Sequence, residues 1–159
     1  MSSATIQMTG VLEPREGWTA DRCPMAHALG VVRNRSAFLL LREAFYGATR
    51  FEEFAERTGL SEPVTATRLR ELTDEGLLER EPYQEPGQRT RRLYRLTEKG
   101  SDLLPVLVAL MQWGDKWVLP GGARVEIRHA GCGSAVSAEL RCEHGHAVGR
   151  DELELARRS

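Results

Sequence analysis

Two short helix-period segments stand in this chain with only the four residues Arg57-Thr58-Gly59-Leu60 between them. In RFEEFAERTG, Phe51, Phe54 and Ala55 share one face and Gly59 marks the stop. Ser61 then caps a further helix over about residues 62–75, with Gly76 as its stop. Pro63 falls in the first turn of that helix, where a missing amide N–H costs little. A connection this short leaves two neighbouring helices little choice but to pack against each other.

The surrounding elements narrow the architecture further. Residues 24–32 read as a short helix with Met25, Leu29 and Val32 at helical spacing. Ser36 is the expected cap of SAFLLLREAFYG, a helix apolar on most sides that ends at Gly47 and fits the centre of a core. After Gly76 the period changes to that of strands: LLERE, a loop from Pro82 to Gln88, then the alternating RRLYRL of residues 91–96. Thr97 caps a long helix through Val118, with Pro105 as a candidate kink. The expected fold is mainly α with a small β-hairpin wing: a winged helix-turn-helix, a long C-terminal dimerisation helix and a small Cys/His tail. Pro120-Gly121-Gly122 breaks the pattern. The expected organisation is an arm at 1–22, a main domain at 23–119 and a tail at 120–159.

A helix-turn-helix followed by a hairpin raises the question of DNA, and the charge distribution bears on it. The chain as a whole is nearly neutral, with 22 basic and 23 acidic residues. Yet from Gln88 to Thr97 there are four arginines and no acid. A local field steers a polyanion whatever the net charge. The stripe Thr65, Leu69 and Leu72 is the expected buried face of helix 62–75. Thr67 and Arg70, on the opposite face, are placed to read base edges in the major groove, with Pro63 and Ala66 shaping the approach. Ser61, Arg68 and the wing arginines Arg89, Arg91 and Arg92 are candidates for phosphate or minor-groove contact. Arg95 is the one expected to pack along the sheet.

At these residues the chain resembles a known family. CPMAHAL, LLLREAFYGATRFEEF, GLSEPVTATRLRELTDEGLLERE and RRLYRLTEKGSDLLPVLVALMQWG look like the HxlR-type winged helix-turn-helix transcriptional regulators, over Cys23 to Trp117. The resemblance implies a homodimer joined through its terminal helices, bound to double-stranded operator DNA. In several such regulators the cysteine matched by Cys23 senses electrophiles or oxidants. Two positions depart from the family pattern: Ser36 stands where Trp is usual and Thr65 where Leu is usual. Both point to a locally smaller or more polar core.

The residues themselves also argue for a second copy. Leu103 to Val118 is more apolar than one small domain can bury, which asks for a partner surface, with the helix from Pro24 and Trp18 completing it. Cys23 precedes Pro24 at the expected start of a helix, where the dipole and Arg22 favour a thiolate and Asp21 opposes them. A small ligand among Trp18, Phe38, Phe45, Tyr46, Trp113 and Trp117 is the other effector to consider, although residues at this spacing also make ordinary core.

The tail gathers His129, Cys132, Cys142, His144 and His146. A zinc site from His129, Cys132, Cys142 and His146 (with His144 in place of His129 as a variant), a Cys132–Cys142 disulfide, or free side chains in a small hairpin with RVEIRH as one strand all remain open. The chain carries no catalytic motif such as GxSxG or HExxH, and no constellation of an enzyme. No stretch is long and apolar enough for a membrane span, and the N-terminus is not patterned as a secretory signal, so the expected location is the cytoplasm. The expected function is a sequence-specific transcriptional regulator, a repressor, acting as a homodimer and switched by Cys23 modification or a small ligand. The alternative is a winged-helix protein-interaction adaptor with a knuckle-like docking tail; four arginines without an intervening acid are what an adaptor does not need.

Overall fold

The structure is a computed structural model that describes residues 6–8, 19–84 and 91–156. It divides into two compact units, Pro24–Ala123 and the combination of Met1–Cys23 with Arg124–Ser159. Arm and tail, expected as separate segments, share a unit: strand β1 (Gln7–Met8) pairs in parallel with β4 (Glu154–Leu155). Pairing between strands so far apart in sequence leaves no local signal.

The larger unit begins with α1 (Pro24–Val32), α2 (Arg35–Phe45), α3 (Phe51–Thr58) and α4 (Glu62–Asp74). Strands β2 (Leu78–Tyr83) and β3 (Arg91–Leu96) form an antiparallel hairpin in which Leu78 faces Leu96 and Tyr83 faces Arg91. Helices α5 (Glu98–Ser101) and α6 (Leu104–Trp117) follow. A short third edge joins the hairpin where Arg50 bridges Leu93 and the Tyr94 N–H donates to the Thr49 carbonyl at 2.8 Å.

One core holds these elements. Leu40 and Leu41 of α2, Phe54 of α3, Leu69 and Leu72 of α4, and Leu77 and Leu78 at the start of the hairpin are all buried, with Leu107 of α6 against them. Each such side chain contributes about 1.5–3 kcal/mol on leaving water. Tyr94 of β3 meets the Phe54 ring edge-on at 6.0 Å between centroids, which pins the hairpin to α3.

Two helix boundaries differ from expectation, each for a local reason. Asn34, not Ser36, caps α2: its side-chain oxygen accepts from the Ala37 N–H at 3.1 Å. Arg33 turns the chain there with φ of 61°, so the helix starts one residue before Ser36. The expected long C-terminal helix is two helices. The Pro105 ring would clash with the carbonyl four residues back, that of Ser101, and α5 ends at Ser101. Pro105 therefore sits in the first turn of α6 and does not kink it. Thr97 does cap α5, accepting from the Gly100 N–H at 3.0 Å.

Gly100 is the tightest point of this packing. A Cβ built there would lie 2.1 Å from the Leu77 carbonyl oxygen, a backbone atom that cannot swing aside. Gly100→Ala is therefore expected to destabilise the protein by about 1–3 kcal/mol, the range for overpacking a core. Urea unfolding followed by circular dichroism measures this; an unchanged midpoint would contradict the close approach.

Candidate nucleic-acid interface

The turn between α3 and α4 is built from Thr58, Gly59, Leu60 and Ser61. Gly59 takes φ of 68°, a left-handed conformation that side chains resist, and ends α3 there. Glu53 secures the other end of α3, its Oε2 accepting from the Thr49 and Arg50 N–H groups at 2.9 and 3.0 Å. Those two N–H groups hold its carboxyl below the usual carboxylate range. On α4, Thr65, Leu69 and Leu72 are buried, as their spacing predicts. The polar Thr65 is satisfied: its Oγ1 donates to the Ser61 carbonyl at 3.0 Å. Ser61 occupies the cap position without a side-chain capping bond.

With that face buried, Pro63, Val64, Ala66, Arg70 and Asp74 are exposed and Thr67 is half-exposed. The two arginines of α4 are not equivalent. Arg68 pairs with Glu71 at 2.5 Å, whereas the Arg70 side chain makes no hydrogen bond or ion pair among the described residues. The wing sorts in the same way. Arg91 lies 3.6 Å from Glu52, and Arg95 is tied across the hairpin to Glu81 at 2.9 Å. Arg92 is exposed and carries no such partner among the described residues. Arg89 and Trp18 lie outside the described residues. Arg50, not singled out from sequence, stacks over Tyr83 at 5.3 Å and donates to its hydroxyl at 3.1 Å, which ties the loop end of the hairpin to the start of α3.

An apolar stripe runs along α6. Val106, Leu110, Trp113 and Trp117 recur at helical spacing and all are exposed, Trp113 to 58% and Trp117 to 67%. Met25 and Leu29 of α1 are exposed too, and only Val32 of that helix is buried. Of the proposed pocket aromatics, Phe38 and Phe45 pack against the core while Tyr46, Trp113 and Trp117 face outward. Cys23 is half-buried and immediately precedes α1.

In the tail, all the cysteines are free, Cys132 and Cys142 being exposed. Where a strand over RVEIRH was one of the open readings, two isolated bridges, Arg128 with Ala135 and Arg141 with Ala147, each close a short turn. The first holds His129 and Cys132, with Nδ1 3.3 Å from Sγ; the second holds Cys142, His144 and His146. Among the described residues no three His, Cys, Asp or Glu side chains converge where they could hold a metal ion, so His129, Cys132, Cys142 and His146 do not meet at one point. Hydrogen bonds from the Ser134 side chain and backbone, and then from His129, bring the Cys132 thiol down to about 7.

Residues 31–121 match the model of the HxlR-like helix-turn-helix family. Uncharacterized HTH-type transcriptional regulators of Mycobacterium bovis and Mycobacterium tuberculosis are 41% identical over 121 residues, 76% of this chain and 75% of theirs. The crystal structure of PA1607, a candidate transcription factor, superposes with a TM-score of 0.76 at 32% identity, covering 87% of this chain and 96% of that one. The redox regulator HypR in its reduced form is similar at 28% identity and a TM-score of 0.53, over 58% of this chain and 91% of its own. These relatives are regulators, not enzymes, and among the described residues no helix is long and apolar enough to cross a membrane.

A thiol near 7 is partly thiolate at neutral pH and becomes fully so as pH rises. Iodoacetamide labelling read by mass spectrometry should therefore mark Cys132 before Cys142 at pH 7, with Ser134→Ala slowing the Cys132 reaction. Equal rates at the two cysteines would contradict the hydrogen-bonded thiolate. Matched over more than half its length by the family model, and by close relatives over three quarters of theirs, the chain belongs to the HxlR-like helix-turn-helix family of transcriptional regulators.

Proposed function

We propose that the chain is a sequence-specific repressor that binds double-stranded operator DNA as a homodimer in the cytoplasm. The observation that carries this reading is the outward face of α4, where Arg70 stands uncommitted beside Thr67 while the opposite face is locked in the core. The amino-terminal half of α4 enters the major groove, with Thr67 and Arg70 on base edges and Pro63 and Ala66 against the groove wall. The wing lies over the backbone or minor groove and contributes Arg92, whose side chain has no partner among the described residues, with Arg91 and Arg89 as further contacts. Ser61 contributes a phosphate contact. Arg68 contributes one only after giving up Glu71.

The exposed stripe on α6 and the exposed residues of α1 support a two-fold dimer. Its two copies of α4 then fall about one DNA turn apart, roughly 34 Å. Similarity to the redox regulator HypR supports a thiol-based switch at Cys23, which adjoins α1. Modification at that point displaces α1, and the Arg33–Glu75 pair, 3.2 Å long, links the end of α1 to the end of α4. That pair is exposed and contributes little energy by itself. A small-molecule effector is the other route to the same displacement.

Arg70→Ala should cost about 1–3 kcal/mol on the operator and much less on a random duplex, so that sequence preference relaxes. Arg68→Ala, already paired, should change discrimination less. Arg92→Ala should weaken both duplexes alike and lower the slope of log affinity against log salt by about one unit. Fluorescence anisotropy titrations over a salt series read all of these. Equal losses on both duplexes for Arg70→Ala, or an unchanged slope for Arg92→Ala, would contradict the assignments.

A further inference from the structure

We propose that Val64 is a specificity-determining residue: it contacts the C5-methyl of a thymine in each half-site. The proposal rests on the DNA-binding role proposed for α4. Val64 is 38% exposed, whereas the other large apolar side chains of the helix, Leu69 and Leu72, are buried. An isolated exposed valine carries no meaning of its own. This one adjoins Pro63 in sequence and Thr67 one turn on, both on the outward side. Val64 and Thr67, one turn apart, are neighbours on the helix surface and place their methyl groups near the end of α4 that meets base edges.

The rest of the helix restricts how those methyl groups are used. Asp74 is exposed toward the carboxyl end, Glu71 is half-buried there and paired with Arg68, and Glu62 is exposed at the first residue. Acids thus stand at both ends, and it is the positive amino end of the helix dipole that favours entry amino end first, bringing Val64 into the groove. Valine has neither donor nor acceptor. Thymine is the one base that presents a methyl in the major groove, so it is the edge that Val64 can match. Any other edge would lose water at a polar atom and gain no partner.

The test uses the full-length protein and a duplex that it enriches from a random pool. Each thymine of a half-site is replaced in turn by deoxyuridine, which removes only the methyl. One replacement is expected to weaken binding roughly fourfold, the worth of one buried methyl group. Val64→Ala should bind the thymine and deoxyuridine duplexes equally. Arg70→Ala, in contrast, should keep the difference between them. Val64 is exposed, so its truncation leaves the core intact, and binding to the deoxyuridine duplex verifies the fold. A methyl effect of equal size in the wild type and in Val64→Ala, or a half-site in which no thymine methyl matters, overturns the assignment of Val64 and leaves DNA binding by α4 standing. Failure to enrich any duplex overturns both.

Discussion

The orientation of α4 depends on three side chains. Thr65, Leu69 and Leu72 enter the core formed by Leu40, Leu41 and Phe54, and that burial decides which residues of α4 are left to meet anything else. The same core receives Leu77 and Leu78, so the hairpin emerges at a set direction from the end of α4. Helix and wing are thus positioned by one cluster of apolar contacts. The hydroxyl of Thr65, bonded to the Ser61 carbonyl, keeps that cluster free of an unsatisfied polar atom.

Ion pairing then selects among the cations. A count of arginines overstates the positive field, because Glu71 holds Arg68, Glu52 faces Arg91 and Glu81 holds Arg95. Among the described residues of α4 and the hairpin, Arg70, Arg80 and Arg92 remain without a side-chain partner. A chain of net charge −1 can in this way offer a narrow cationic surface without a general affinity for polyanions.

Much of this was legible in the residues because it follows from local periodicity. The buried stripe of α4, the stop at Gly59 and the strand at residues 91–96 each depend on side chains only a few positions apart. What was not legible has identifiable causes. The shift of the α2 cap to Asn34 depends on the backbone conformation of Arg33, which spacing does not reveal. The break after Ser101 follows from steric exclusion by Pro105, a proline that the pattern alone read as a kink. The parallel pairing of Gln7–Met8 with Glu154–Leu155 joins the two ends of the chain and has no local signature. At the candidate site, Thr67 and Arg70 could be placed by helical angle, but the pairing of Arg68 with Glu71 needs side-chain geometry. Val64 was passed over because an apolar residue near a helix start resembles core until its exposure is known.

The central claim is that two copies of this chain, joined through the apolar stripe of α6, present their α4 helices together to one duplex. Selection of bound duplexes from a randomised pool, followed by sequencing, tests it most directly. A near-palindromic motif with half-site centres about one helical turn apart, roughly 10 base pairs, is expected. A single unrepeated half-site, or no enrichment by folded protein, would contradict it.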